Sequence, residues 1–294
     1  MGCFLEKGRQ AQERQLQEIQ RLYQVQLLFE ERPDAPSAQQ VYEALRGAFG
    51  RVDLVDGDPS LLCFAIPAYT VPDGKGGQLP VKLLLQQAHP FRQESVDAQA
   101  RGQFWNLPDG EAVLAGCQYE VTFFDMMAAG LDHQRRGELL MDGMDAVLPL
   151  YPTCKAVFMK PAGKLLTLPQ ILQEPVSRED RYIWRGVNAR FFRIGGTQSF
   201  VVDTLGLSVL GLPELQYKFQ GLDPNWVVGH AYDVAAYLYH QDTPIQEGET
   251  VDGLDAQGRL DPQVQWLCHR GQALVGPARE VVDIQPGEHA AQEF

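Results

Sequence analysis

The tightest local constraint in this 294-residue chain is the run Gly221-Leu-Asp-Pro-Asn-Trp226. Proline has no N–H and a fixed φ, so a helix tolerates it only in the first turn, and an aspartate just before it can take up free N–H groups. Asp223-Pro224 therefore marks where a helix begins. Beyond it, Val227, Ala231, Val234 and Leu238 recur at three- and four-residue steps, with Val228 and Ala235 widening the stripe. That spacing predicts a helix with one face in a core. Trp226, His230, Asp233 and Tyr237 form a neighbouring stripe. One reading makes that stripe the wall of a pocket; the commoner arrangement is a helix boundary whose large amphipathic side chains cover a sheet edge. Upstream, Glu214–Phe219 alternates polar and apolar, so Leu215, Tyr217 and Phe219 share one face of a strand. Gly206 and Gly211 have the outer spacing of a phosphate loop, but Leu212 and Pro213 stand where lysine and a hydroxyl are needed. The glycines are better read as backbone geometry, where φ is positive or chains approach closely.

Thr204-Leu-Gly-Leu-Ser-Val-Leu-Gly-Leu-Pro-Glu-Leu215, the helix after it, and Gln246-Glu-Gly-Glu-Thr250 together resemble the bacterial family known as domain of unknown function 4261 (DUF4261). The resemblance is clearest from Phe191 to Ile284 and weaker through Tyr119 to Leu172. The positions that carry it are mostly glycine, proline and apolar residues, so it implies a fold and brings no reaction. No catalytic residue is carried over. Within the motif Glu214 and Glu249 are the ionisable residues at turn-like positions. With Trp226 and His230 from the helix, they are the candidate ligand-binding residues.

Elsewhere strand and helix signals keep alternating. Ser37 can cap a helix with Val41, Tyr42, Leu45, Ala48 and Phe49 on its inner face, ended by Gly50. Strands are expected at 52–55, 61–66 and 81–86, and no clear period is present from Ala88 to Gly110. Tyr119–Phe124 reads as a strand, and Asp132 can cap a helix running towards Leu148. Cys154–Lys160 reads as a returning strand, with a bend at Pro161–Lys164 and a short helix at Leu168–Gln173. Strands are also expected at 190–194, 199–202, 264–268 and 280–284, with a polar, frayed tail from Gln285. Residues 6–22, rich in Gln, Glu and Arg, predict a helix with a narrow apolar stripe, packed on the domain or reaching a partner. The charged, proline-containing stretch Glu174–Arg185 suggests the internal boundary. The expected architecture is α+β: antiparallel or mixed sheets with helices packed on one face, repeated strand–helix units, and two lobes, 1–175 and 176–294.

The formal net charge is −13. A surface of that sign repels phosphate backbones and anionic lipid, which argues against nucleic-acid and membrane partners and suits a basic protein. Five cysteines are scattered without a C-x-x-C pair, which fits reduced thiols in a cytoplasm better than a disulfide framework or a zinc site. No apolar run is long enough to span a bilayer, and the first residues contain no apolar signal segment. No zinc-protease helix, nucleophile elbow or dinucleotide fingerprint is present. Cys268 and His269 are adjacent on a strand and so face opposite ways, while Asp132 beside His133 is explained by capping. Glu247, Glu249, Asp252 and Asp255 cluster at a turn, where solvated carboxylates are the ordinary arrangement. No metal or cofactor is expected. These observations favour a non-enzymatic protein that binds another protein, for instance one neutralising a basic toxin. The alternative is a hydrolase or small-ligand protein with a pocket between the lobes.

Overall fold

Capping and alternation, the two signals strongest in the sequence, set the elements of the structure, a computed structural model that describes residues 22–173, 175–241 and 245–291. The expected helix at 6–22 lies, but for Leu22, outside the described residues. The chain divides into two units: residues up to Phe91 with Cys117–Cys154, and Arg92–Gly116 with everything from Lys155 onward. The later break falls after Cys154, where the sequence reading put it after residue 175. Charge and proline suggested a linker at 174–185, yet Arg181–Gly186 is a short helix with Tyr182 and Ile183 buried. The aperiodic stretch joins the second unit through side-chain amides. Gln103 brackets the backbone of Phe191, donating to its O at 3.1 Å and accepting from its N at 2.8 Å, and Asn106 donates to Leu165 O at 2.7 Å.

The first unit is built on β1 (Gln24–Phe29), β2 (Asp53–Asp58), β3 (Leu61–Pro72), β4 (Gln78–Pro90) and β5 (Tyr119–Met126). Within their sheet these strands lie in the order β2-β3-β4-β5-β1, with antiparallel neighbours. β3 and β4 run further than alternation alone predicts. Pro67 cannot donate to a ladder, so the signal stops there, but pairing resumes at Thr70 beyond a bulge. Helix α1 (Ala38–Phe49) starts in a capping box between Ser37 and Gln40, and α2 (His133–Val147) starts at the Asp132 cap. The two helices pack on each other, and α2 also meets β5. A Cβ at Gly143 of α2 would lie 2.7 Å from Phe123 Cζ and 2.9 Å from Leu83 Cδ1, so glycine permits the close approach. Arg136 of α2 and Asp125 of β5 form a buried pair at 2.7 and 3.1 Å, and Asp125 also accepts the Tyr23 N–H at 2.8 Å.

The second unit opens with the hairpin β6 (Ala156–Met159) and β7 (Lys164–Thr167), turned at Gly163 with φ +60°. Its main sheet comprises β8 (Asn188–Arg193), β9 (Phe200–Leu205), β10 (Glu214–Phe219), β11 (Thr250–Leu254), β12 (Leu260–Gln272) and β13 (Glu280–Gln285). The strand order is β11-β12-β13-β10-β9-β8. β10 and β13 are parallel and the other pairs antiparallel, which makes the sheet mixed, as expected. The last strand, β13, thus lies at the middle. Helix α3 (Pro224–His240) begins at the Asp223 cap and packs on β8, β9, β10 and β11. Val227, Ala231, Ala235 and Leu238 on it are buried, as are Leu215, Tyr217 and Phe219 of β10. The segment expected to fray is tied down instead: Gln220 donates to His289 O at 2.9 Å and Ala291 to Lys218 O at 3.1 Å. Backbone groups at the end of β10 hold it. The fold class is α+β.

Candidate functional site

The two stripes of α3 do different work. The first stripe meets the sheet. From the second, Asp233 and Tyr237 face a cleft of about 700 Å3, which they line together with Val234, Ile245, Leu260 and the backbone-linked run Gly248–Asp252. Tyr237 is 53% exposed and Leu260 51%, so two large apolar groups stand open to solvent beside three carboxylates. The Gly248 turn (φ +79°) leads through Glu249 into β11, which packs against the helix.

His230, one helical turn before Val234, holds helix and sheet together. Its Nε2 lies 2.7 Å from the carbonyl O of Asp252, and its Nδ1 lies 2.9 Å from the Tyr217 hydroxyl. A carbonyl only accepts, so Nε2 carries the proton, and Nδ1 accepts from Tyr217. The ring is neutral with both nitrogens occupied, and Trp266 covers it at 4.5 Å between ring centroids. Burial lowers the pKa of His230, while its bond to the Asp252 carbonyl and the Asp233 and Asp252 charges oppose that shift. Burial likewise pushes Tyr217 well above its ordinary range. At Asp233 partial loss of water raises the carboxyl pKa, with His230 acting the other way.

The turn carboxylates separate into different roles. Glu247 accepts from Arg270 N at 2.6 Å and meets His269 Nδ1 at 2.6 Å; the His269 contact is the main cause of its lowered pKa. Asp255 is held by the backbone and side chain of Arg259, and its pKa is lowered too. Glu249 and Asp252 remain in the cleft with Asp233. Glu249 accepts from Gln246 N at 2.7 Å, and Asp252 from Gln265 Nε2 at 2.8 Å. Each keeps further lone pairs for a donor from outside. Among the described residues no group of three or more His, Cys, Asp or Glu is placed to hold a metal ion.

The four residues singled out from sequence occupy distinct surroundings. Glu214 is fully buried and closes the Gly206 turn. It accepts from Gly206 N and Ser208 N at 2.9 Å each and from Thr204 Oγ1 at 2.8 Å. Burial raises its pKa, and the Ser208 and Thr204 bonds and the Arg279 charge act against the rise. Gly206 itself sits at φ +116°, where a Cβ would come within 1.9 Å of Gly186 O. Trp226 packs against Gly258, whose missing Cβ would lie 2.3 Å from the indole, and lines a separate cavity of about 490 Å3. Glu249 lines the acidic cleft, and Glu214 and His230 line neither cavity. Sequence reasoning did not single out Tyr237 and Leu260 as a pair, because one lies on a helix and the other begins β12.

No curated protein and no solved structure matches the chain. Residues 203–285, the span from β9 to β13 that contains α3 and both walls of the cleft, match the family described as a domain of unknown function (DUF4261).

Proposed function

We propose that the protein acts by binding, and that its partner is a basic protein whose lysine- or arginine-bearing segment lies in the cleft beside α3. One observation carries this reading: Asp233, Glu249 and Asp252 share a concavity with exposed Tyr237 and Leu260, and among the described residues no lysine or arginine lines it. Long cationic side chains have an apolar stem and a charged head, which that lining complements. The chain's net charge of −13 adds attraction at longer range. Binding requires no bond chemistry of these groups, and His230, which links the helix to the Asp252 backbone, has both nitrogens engaged. Neutralisation of a basic toxin in the cytoplasm is one concrete form. None of the four described cysteines is in a disulfide, in keeping with that compartment.

Calorimetric titration with a short peptide alternating leucine and lysine, against its leucine–glutamate counterpart, tests the reading. The lysine peptide is expected to bind saturably and to weaken as salt rises. Reversing two carboxylates together, Glu249→Lys with Asp252→Lys, is expected to weaken it by about tenfold or more. Equal affinity for the two peptides, or unchanged affinity in the double variant, defeats the proposal.

A further inference from the structure

A third cavity, of about 520 Å3, lies elsewhere in the same unit and shares no lining residue with the acidic cleft. Its distinctive group is Lys164, the first residue of β7, which is only 3% exposed. The ammonium donates to Val187 O at 2.8 Å, to the Tyr232 hydroxyl at 3.2 Å and to the carbonyl O of Trp184. The rings of Trp184 and Tyr232 flank it, with centroids 5.3 and 5.1 Å from Nζ. Every one of these partners is neutral. Two of the buried arginines, Arg136 and Arg190, each face a carboxylate, Asp125 and Asp203. Lys164 faces none among the described residues. Moving an ammonium out of water without a counter-charge is costly, and carbonyl dipoles and π faces offset only part of that cost.

Three further features point the same way. The indole N–H of Trp184, a residue of the cavity wall, is buried without an acceptor among the described residues, an unusual state for a donor. Trp105, Phe191 and Tyr232 give the cavity flat aromatic sides, and Trp105 meets Phe191 edge-on at 6.2 Å. Pro224 and Asn225 from the first turn of α3, with Val228 just beyond it, complete the wall, so the positive end of a 17-residue helix adjoins it. The Asp223 cap carboxylate is engaged there by the N–H of Asn225 at 2.8 Å. A cationic guest would be repelled by the ammonium already held between the rings. A neutral one would leave that ammonium without a counter-charge.

We propose that this cavity binds a small carboxylate with a flat apolar body, its charge on Lys164 and its body between the aromatic walls. The bond to the Tyr232 hydroxyl is longer than that to Val187 O, and it is the acceptor that an incoming carboxylate oxygen replaces. The volume lies within the range of cavities that enclose small ligands.

The test uses 2-naphthoate as the probe and 2-naphthamide as its neutral counterpart, followed by calorimetry and tryptophan fluorescence on the full chain. The naphthoate is expected to bind saturably and at least about tenfold more tightly than the amide, the effect of a charge-assisted contact. Lys164→Met keeps the apolar stem and is expected to abolish that preference. Trp105→Ala removes a 60% exposed ring and leaves the lysine in place, which guards against a Lys164 variant that does not fold. It is expected to weaken naphthoate by about tenfold, the contribution of one stacked aromatic wall. Failure of naphthoate to saturate, equal affinity for the two probes, or an affinity untouched in Trp105→Ala or in a folded Lys164→Met overturns the proposal.

Discussion

His230 is 1% exposed, donates to one backbone carbonyl and accepts from one phenol, so a second proton on its ring has nowhere to be solvated. Its pKa is therefore lowered from 6.5 in the fold, chiefly by burial. Above that ordinary value the ring is neutral in both folded and unfolded chains, and its contribution is intact. As pH falls below it, the unfolded chain takes up a proton that the folded one refuses, and stability drains away until the folded pKa is reached. Asp233 and Glu214 have raised pKa values and act in the opposite sense at lower pH, so the difference between two proteins is the clean readout. Between about pH 7 and about pH 5.5 the melting temperature is expected to fall less in His230→Gln than in the unaltered chain. Equal slopes would mean that the ring does not titrate as described. At this scale the sequence marks polar residues and hides their partners. Glu214 stands out in a motif of glycines and leucines, but its donors come from Thr204, Gly206 and Ser208, and they reach it only once β9 pairs with β10. Lys164 reads from sequence as part of a bend, because Trp184, Val187 and Tyr232 are contributed by distant stretches.

Elements are more legible than sites, since capping and periodicity are local. Ser37, Asp132 and Asp223 each cap the helix expected of them. What local signals lack is the distance to the next layer, and glycine within a helix shows it. Replacing such a glycine by alanine gains up to about 1 kcal/mol of helix propensity. At Gly47 of α1 nothing lies within 4 Å of the added carbon, so Gly47→Ala is expected to stabilise. At Gly143 of α2 the methyl would press on Phe123 and Leu83, both 1% exposed, at 2.7 and 2.9 Å. Overpacking a core costs about 1–3 kcal/mol, so Gly143→Ala is expected to destabilise despite the better helix former. Urea denaturation of the two variants should move the midpoint in opposite directions; a shared direction would contradict the packing. The 174–185 stretch was misleading for the complementary reason. Its charges and proline look like a linker, while the buried Tyr182 beside them donates to Gly206 O at 2.6 Å across the fold.

For the molecule as a whole, the thiols give a way to follow each unit. Cys63, Cys117 and Cys154 belong to the first and Cys268 to the second, and all four are buried. Burial raises the pKa of Cys63, and it pushes Cys268 up to about 11 with help from the Glu249 charge. Thiolate is the reactive form, so these four are expected to resist Ellman's reagent in the native protein and to label on unfolding. Mass spectrometry of the labelled chain would assign each event to its unit, and rapid labelling of any of the four in native buffer would contradict their burial. One feature of the second unit bears on how it is made. β13 joins β12 to β10 at the middle of the sheet. Until residues 280–285 leave the ribosome, β11–β12 and β10-β9-β8 remain separate ribbons with bare inner edges. This half of the protein can close only after translation has passed its final strand, and for that interval its unpaired edges are open to chaperones or to neighbouring chains.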